Sequence, residues 1–242
     1  MNFHSLPDRR DCAFANMADD LLLLEDSSVQ AIRFRHYEWQ EAAFSFGYSQ
    51  KYEWVRTQIA EPAQICRRPT GGGIVDHRND WTYSLILPTD HPLYRKNPRD
   101  LYRLAHEAIA SALLIQGQVT HLHDCRQNTC PPSSSSSKQP TRPTICFERP
   151  EHYDLISPQT GEKIAGAALK RTRQGLLLQG SINKACTRGI KWGAFKAQFM
   201  QNLMQHLGAP SDEIAESSFP CLPSQRQSVI ARFKSDAWLK KR

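Results

Sequence analysis

The chain predicts an α+β fold, and three observations carry that reading. Apolar residues at period 2 and at period 3.6 mingle along the sequence without a strict strand–helix–strand alternation, which argues against a doubly wound parallel sheet. Two segments, residues 101–112 and 195–207, hold a clear i, i+3, i+4 apolar face. Between and before them, short alternating runs of aromatic and aliphatic residues read as strands. With 242 residues, 40% of them hydrophobic, and no internal repeat, one sizeable core is expected.

Local pattern justifies each element. Asn16-Met-Ala-Asp-Asp ahead of the leucine run 21–24 reads as a helix with acidic residues in its first turn, where the dipole favours them. Ile32, Phe34 and His36 alternate with arginines, and Phe44, Phe46 and Tyr48 alternate with Ser45 and Gly47. These are two strands of a half-buried sheet. Residues 63–67 form a third strand, and Trp81, Tyr83, Leu85 and Leu87 line one side of a fourth that Pro88 stops. Asn97-Pro98 starts the first long helix, with asparagine as cap and proline in the first turn, and Gly117 ends it. Residues 125–143, CRQNTCPPSSSSSKQPTRP, carry too little apolar surface to offset ordering, so a flexible Ser/Pro-rich loop is expected there. Order resumes at residues 144–147. Residues 163–168 and 175–183 read as two more strands, separated by the polar stretch 169–174. With Trp192 just before it, the helix at 193–207 buries Phe195, Phe199, Leu203 and Leu207. Pro210, Pro220 and Pro223 divide the remainder before a basic helix from about Gln225, which forms a short basic C-terminal tail.

Composition narrows the function classes. No apolar run approaches the ~18–20 residues of a membrane span. The opening MNFHSLPDRRDC lacks the apolar region of a secretory leader, so a cytoplasmic protein that does not engage a membrane is expected. Seven cysteines are an odd count without a tight framework and read as free thiols, one or two of them chemically active. The net charge is +7, and Arg226, Arg232, Lys234, Lys240, Lys241 and Arg242 crowd the C-terminus with only Asp236 opposing them. No zinc-finger spacing, RNA-binding signature or helix-turn-helix accompanies that charge, so an acidic protein partner is expected rather than nucleic acid. His121, His123, Cys125 and Cys130 match no common structural zinc spacing, and no metal site is expected.

Two constellations can carry chemistry. The first is Arg68, Gly71, Gly72, Gly73 and His77. Adjacent glycines mean either a backbone that turns at positive φ or one on which something lies directly; a plain hairpin turn is the other reading. Exposed N–H groups beside Arg68 would suit a carbonyl, carboxylate or phosphate. No Gly-Lys-Ser/Thr follows, and the glycines are not spaced as in a dinucleotide fingerprint. The second is Cys146 with Lys163, because a nearby ammonium lowers a thiol's pKa and the thiolate is the nucleophile. The bland alternatives are a buried core cysteine and a surface lysine. A Cys146–His77 or Cys146–His152 dyad ranks lower, since no asparagine or aspartate is placed obviously to orient either histidine.

RRPTGGGIVDH, followed further on by GEKIAGAALKRTRQGLLLQGSI, resembles the paired signature of the lipoate–protein ligase and octanoyltransferase family. NMADDLLL and RFRHYEWQEAAFSFGYSQ are similar to that family's N-terminal part, so the resemblance covers most of residues 16–207. It implies the biotinyl/lipoyl-transferase fold shared with class II aminoacyl-tRNA synthetases and biotin synthetases. In that fold a mixed, largely antiparallel sheet with packed helices holds a tunnel for an eight-carbon acyl chain. It implies one catalytic domain over residues 1–242, acting as a monomer. The reaction implied joins an octanoyl or lipoyl group, from octanoyl-acyl carrier protein or lipoate, to a lysine of an acidic lipoyl-domain protein. Such acceptors include the glycine cleavage H protein and the acyltransferase subunits of 2-oxoacid dehydrogenases.

The branch follows from smaller features. CFERPEHYDL looks like the element that carries the transferase cysteine, where ligases resemble Arg-Asn-Asp. The short stretch after residue 207 also favours a transferase, whereas the triple glycine leans towards ligases. The family often has a histidine where this chain has Leu178 and Gln179. The resemblance therefore implies an octanoyltransferase that needs no cofactor, with Cys146 and Lys163 catalytic. The acyl and carbonyl wall would come from Arg68, Thr70, Gly71, Gly72, Gly73, Ile74, Val75 and His77, with Gly166, Ala167, Ala168, Gly180, Ser181 and Ile182. The alternative is a ligase that uses ATP and Mg through a lipoyl-adenylate. The Ser-rich loop, adjoining Cys146, is expected to act as a lid.

Overall fold

A computed structural model describes residues 1–125, 150–210, 214–216, 218–219 and 221–241. In chain order the elements are β1 (Phe3–Ser5), β2 (Arg9–Asp11), α1 (Ala13–Glu25), β3 (Ile32–Trp39), β4 (Ala43–Phe46), α2 (Tyr52–Gln58), β5 (Gln64–Arg67), β6 (Ile74–Asp76) and β7 (Asp80–Leu87). They continue as α3 (Pro98–Ile115), β8 (His121–Leu122), β9 (Leu155–Ile156), β10 (Lys163–Arg171), β11 (Leu176–Asn183), α4 (Trp192–Leu207), β12 (Ile214–Glu216), α5 (Pro223–Lys234) and α6 (Asp236–Leu239).

Among the described residues the main sheet runs β12-β1-β3-β7-β11-β10-β9-β8, with β2 also on β3, and a small sheet runs β5-β4-β6. The centre of the main sheet is antiparallel: β3 on β7, β7 on β11, β11 on β10. Parallel pairing is confined in it to β1, β2 and β12. This is the mixed, largely antiparallel α+β architecture expected. The longest register, Leu176↔Leu87 through Asn183↔Asp80, sets the faces. Tyr83, Leu85, Leu178 and Ile182 point one way and pack with Phe34 under α3 and α4, where Phe195, Phe199 and Leu203 close the core. The opposite face carries α1 and α5 over Tyr37, Ile86 and Leu177. A third cluster, Phe46, Ile65 and Ile74 with Val55 and Ile59, joins α2 to the small sheet.

The first long helix behaves as its sequence dictates. Asn97 caps α3 by accepting the Arg99 N–H at 3.0 Å, and Gly117 follows its end with φ +82°. Three other expectations change. Helix α1 starts at Ala13, so Asp19 and Asp20 lie in its interior and are buried. They face arginines rather than the helix dipole. The sheet is not half-buried, because α1 covers the face the alternation assigned to solvent: Arg33 and Arg35 are buried, as is all of β7. Arg35 donates to Asp20 Oδ1 at 2.7 Å and to Asn16 Oδ1 at 2.8 Å. Finally, β10 runs on to Arg171, through part of the stretch read as a polar connection.

The basic C-terminal segment is likewise packed rather than loose. Arg226 of α5 binds Asp19 at 2.7 Å and Asp11 at 2.6 Å, so acidic groups from the other end of the chain oppose it. Arg67, fully buried, donates to Trp238 O at 3.0 Å and Leu239 O at 2.7 Å, while Trp238 Nε1 returns a bond to Arg67 O at 3.0 Å.

Removing one partner of a buried ion cluster leaves an uncompensated charge. Arg35→Leu is expected to cost about 3–5 kcal/mol, read from urea unfolding. A second outcome concerns pH. Burial pushes the His36, His91 and His106 imidazoles below their ordinary value. The unfolded chain therefore binds more protons than the folded chain just below about pH 6.5. The urea midpoint is expected to fall as pH drops from about 6.5 towards 5, and the fall should be shallower in His91→Asn.

Candidate active site

A cavity of about 60 Å³ with a mostly apolar wall opens where the small sheet meets β10 and β11. That is several times the ~10–15 Å³ that accommodates one water. Lys163, the first residue of β10, reaches it, and an irregularity in the β9–β10 register lies between Lys163 and Ala165. Bulges of this kind re-aim a side chain. The lysine is buried, and its Nζ lies 2.6 Å from Oδ2 of Asp154, also buried. A Cβ on Gly166 would sit 2.5 Å from Lys163 Cε and 2.6 Å from Nζ. The lysine thus lies across bare backbone, which is a physical reason for glycine at that position. Ala167 and Ala168 continue the same wall, and Gly180 and Ser181 face it from β11.

The glycine loop is built differently from the expectation. Gly72 holds φ +92°, a conformation that suits glycine. Arg68 does not extend from the loop towards a ligand. It folds back, donating to Gly71 O at 2.6 Å, Gly73 O at 2.9 Å and Ser45 Oγ at 3.2 Å. The loop is therefore pinned by its own arginine. Thr70 ties it to the floor, donating at 2.6 Å to Gln179 Oε1, whose amide donates in turn to Asp20 Oδ2 at 2.7 Å.

His77 lines the cavity with Val75 and stacks on Trp39 at 3.9 Å between ring centroids. Its Nδ1 lies 2.6 Å from Asp80 Oδ2 and its Nε2 lies 2.7 Å from Ser45 Oγ. Ser45 Oγ accepts from Arg68, and with Nδ1–H donating to Asp80 the neutral ring would take the Ser45 hydroxyl at Nε2. Asp80 Oδ2 also accepts from Thr82 at 2.8 Å and Ser181 at 2.5 Å. An aspartate does therefore orient His77, which the sequence reading had not found.

Other expected residues lie elsewhere. Ile74 belongs to the small-sheet cluster and Ile182 to the core under α4, so neither lines the cavity. Gly71 and Gly73 contribute carbonyls to Arg68 and not a cavity surface. Gly180 does line the cavity, through its backbone, while the Tyr83 ring lies 2.3 Å from where its Cβ would be. Cys146 and the Ser-rich stretch lie outside the described residues. His152 accepts the Cys125 N–H at 3.3 Å and lies 3.5 Å from Asp124. Burial pushes the Cys66 thiol up to about 12 and raises those of Cys186 and Cys221, so these three are poor thiolates. Asp154, Ser45 and Asp80 were missed. Asp80 stands three residues after His77 and was findable as a turn partner; Asp154 bears no periodic relation to Lys163.

Gly166→Ala is expected to displace the flexible end of Lys163 while leaving the fold in place. Its melting temperature should stay within about 4 °C of the parent, and labelling of Lys163 by an amine-reactive reagent should rise several-fold by peptide mass spectrometry.

Comparison with known proteins places this geometry. Residues 12–229 match the lipoyl protein ligase A/B catalytic domain. Octanoyltransferase LipM of Oceanobacillus iheyensis is 34% identical over 176 residues, which cover 70% of this chain and 59% of that protein. The chain spans about three-fifths of the length of the curated relatives it matches. Among solved structures, Ta0514 of Thermoplasma acidophilum with bound lipoic acid superposes with a TM-score of 0.69 at 14% identity, covering 99% of each chain. A lipoate-protein ligase A bound with ATP gives 0.68 at 15% identity, again over 99% of each. At those identities the structures share the fold. The family match, spanning most of the chain, shows that it belongs to the lipoyl protein ligase A/B catalytic domain family.

Proposed function

We propose that the protein is an octanoyltransferase that moves an octanoyl group, or its lipoyl counterpart, onto a lysine of lipoyl-domain proteins. One observation carries the reading: a buried ammonium, Lys163, held by Asp154 against bare backbone at the wall of a narrow apolar cavity. An apolar cavity suits an alkyl chain, and a fixed positive charge suits the oxyanion of acyl transfer. Relatives named octanoyltransferase support the same assignment.

Cys146 is the nucleophile in this proposal. It stands eight residues before Asp154 in the sequence, and the raised thiols of Cys66, Cys186 and Cys221 are poor competitors. Its thiolate attacks the thioester carbonyl of octanoyl-acyl carrier protein. The donor's C–S bond breaks, the carrier leaves as a thiol with a proton, and the chain is held as a Cys146 thioester. The acceptor's lysine amine then attacks that carbonyl, the new C–S bond breaks, an amide forms, and the amine's proton returns to sulfur. The thioester keeps the carbonyl reactive, so the transfer needs no ATP. Lys163 stabilises the thiolate and both oxyanions. His77, Ser45 and Arg68 keep the glycine-loop wall rigid. The acceptors are lipoyl domains such as those of the glycine cleavage H protein and the 2-oxoacid dehydrogenases, steered by the net positive charge. We place the enzyme in the cytoplasm, acting as a monomer with residues 1–242 as one catalytic unit. Among the described residues no helix is long and apolar enough to cross a membrane.

The ligase reading keeps the triple glycine and the ATP-bound structural neighbour on its side. It would have Arg68 and Lys163 face an adenylate phosphate, with Mg. Arg68 is committed to Gly71, Gly73 and Ser45, which favours the transferase.

Incubation with octanoyl-acyl carrier protein is expected to add one octanoyl mass to the peptide containing Cys146. Cys146→Ala and Lys163→Ala should each lower transfer to a lipoyl domain by about a thousandfold, with no stimulation by ATP. Full transfer by Cys146→Ala, dependent on ATP, would establish the ligase instead.

A further inference from the structure

The turn leading into β9 holds the only non-glycine residue at positive φ among the described residues, Tyr153 at +72°. A residue with a Cβ adopts that conformation when its surroundings over-determine it, and such positions cluster at functional sites. Here the surroundings are specific. Tyr153 donates its N–H to His123 O at 2.8 Å, and Asp154 donates its N–H to Glu151 O at 2.9 Å. His106, on α3, donates from Nδ1 to Tyr153 O at 2.6 Å. The next residue, Asp154, accepts the Glu151 N–H at 2.6 Å through the same Oδ2 that pairs with Lys163.

His106 is a costly residue for packing alone. It is 1% exposed, and its Nε2 is buried without a hydrogen-bond partner. Burial pushes its imidazole below the ordinary value, so the ring is neutral near pH 7. A leucine would fill the space without an unsatisfied polar atom. What the imidazole supplies, and leucine would not, is the one bond to the Tyr153 carbonyl.

We infer that His106 and Asp154 are positioning residues for Lys163. His106 locks the left-handed turn at Tyr153, the turn aims the Asp154 carboxylate, and the carboxylate pins the ammonium over Gly166 at the cavity wall. The part played by Lys163 in acyl transfer rests on the proposed function; the pinning itself does not.

The test compares His106→Leu, His106→Asn and Asp154→Asn in the full chain. Two quantities are read: kcat and KM for transfer from octanoyl-acyl carrier protein to a lipoyl domain, and the rate of Lys163 labelling by an amine-reactive reagent. His106→Leu is expected to lower kcat about tenfold with KM changed less than about twofold, and to speed labelling several-fold. His106→Asn places an amide N–H near the Nδ1 position and should recover most of both values. Asp154→Asn should lower kcat at least as far as His106→Leu does. Parent values for kcat and labelling in His106→Leu, or losses that His106→Asn does not recover, would overturn the inference. If His106→Leu does not fold, Asp154→Asn decides: parent kcat and labelling there would overturn it, and lowered kcat with faster labelling, beside His106→Asn near the parent, would support it. If the parent protein transfers no octanoyl group, the proposed function fails, and the labelling rates still decide the pinning.

Discussion

One carboxylate organises the face of the sheet on which the cavity lies. Asp20, inside α1, takes bonds from Arg35, Tyr37, Ser84 and Gln179, at 2.7, 3.1, 2.7 and 2.7 Å. Those donors come from three adjacent strands, β3, β7 and β11. A buried carboxylate is tolerated when its lone pairs are filled, and a satisfied polar network specifies one arrangement where apolar packing would permit several. The bond to Gln179 passes through Thr70 to the glycine loop, so the register of α1 on the sheet and the position of the cavity's roof are coupled. The opposite face has no such network. There Phe34, Tyr83, Phe195 and Phe199 pack edge to face and stacked, and area burial carries the stability.

The two arginines of RRPTGGG show how one motif divides between structure and site. Arg67 points away from the cavity and captures the carbonyls of α6, with Gln50 O at 2.8 Å and Tyr48 O as further acceptors. Arg68 points inward and gathers the carbonyls of its own loop. Alternation along a strand requires neighbours to face opposite ways. The pair therefore joins the chain's C-terminal helices to the wall of the cavity through a single peptide unit.

Around the cavity, polar groups largely pair with one another, with Asp80 Oδ1 buried and unpartnered. Asp80 collects His77, Thr82 and Ser181; Asp154 collects Lys163 and a backbone N–H. An apolar chain can then lie against them without stranding a donor, while Lys163 supplies charge at one place. Gln179 fits that scheme: its amide bridges Thr70 and Asp20 and is neutral at every pH.

The sequence by itself determined the α+β class, the strands at Trp81 and Leu176, the capped helix at Asn97 and the amphipathic helix ending at Leu207, while the family resemblance implied the pairing of the glycine loop with the lysine strand. Those features are written in local periodicity, capping chemistry and adjacent residue types, all of which act over a few residues. Tertiary structure alone decided which charges are buried and whom they meet. Asp20 with Arg35, Arg226 with Asp19, Arg67 with the C-terminal carbonyls and Asp154 with Lys163 join elements whose contact depends on sheet order. A charged residue reads as solvent-facing until a second layer is known to cover it, and no local pattern announces that layer. The same reason hid the orientation of Arg68: a guanidinium beside three glycines suits an external anion or its own loop carbonyls equally well, and only the closed loop selects between them.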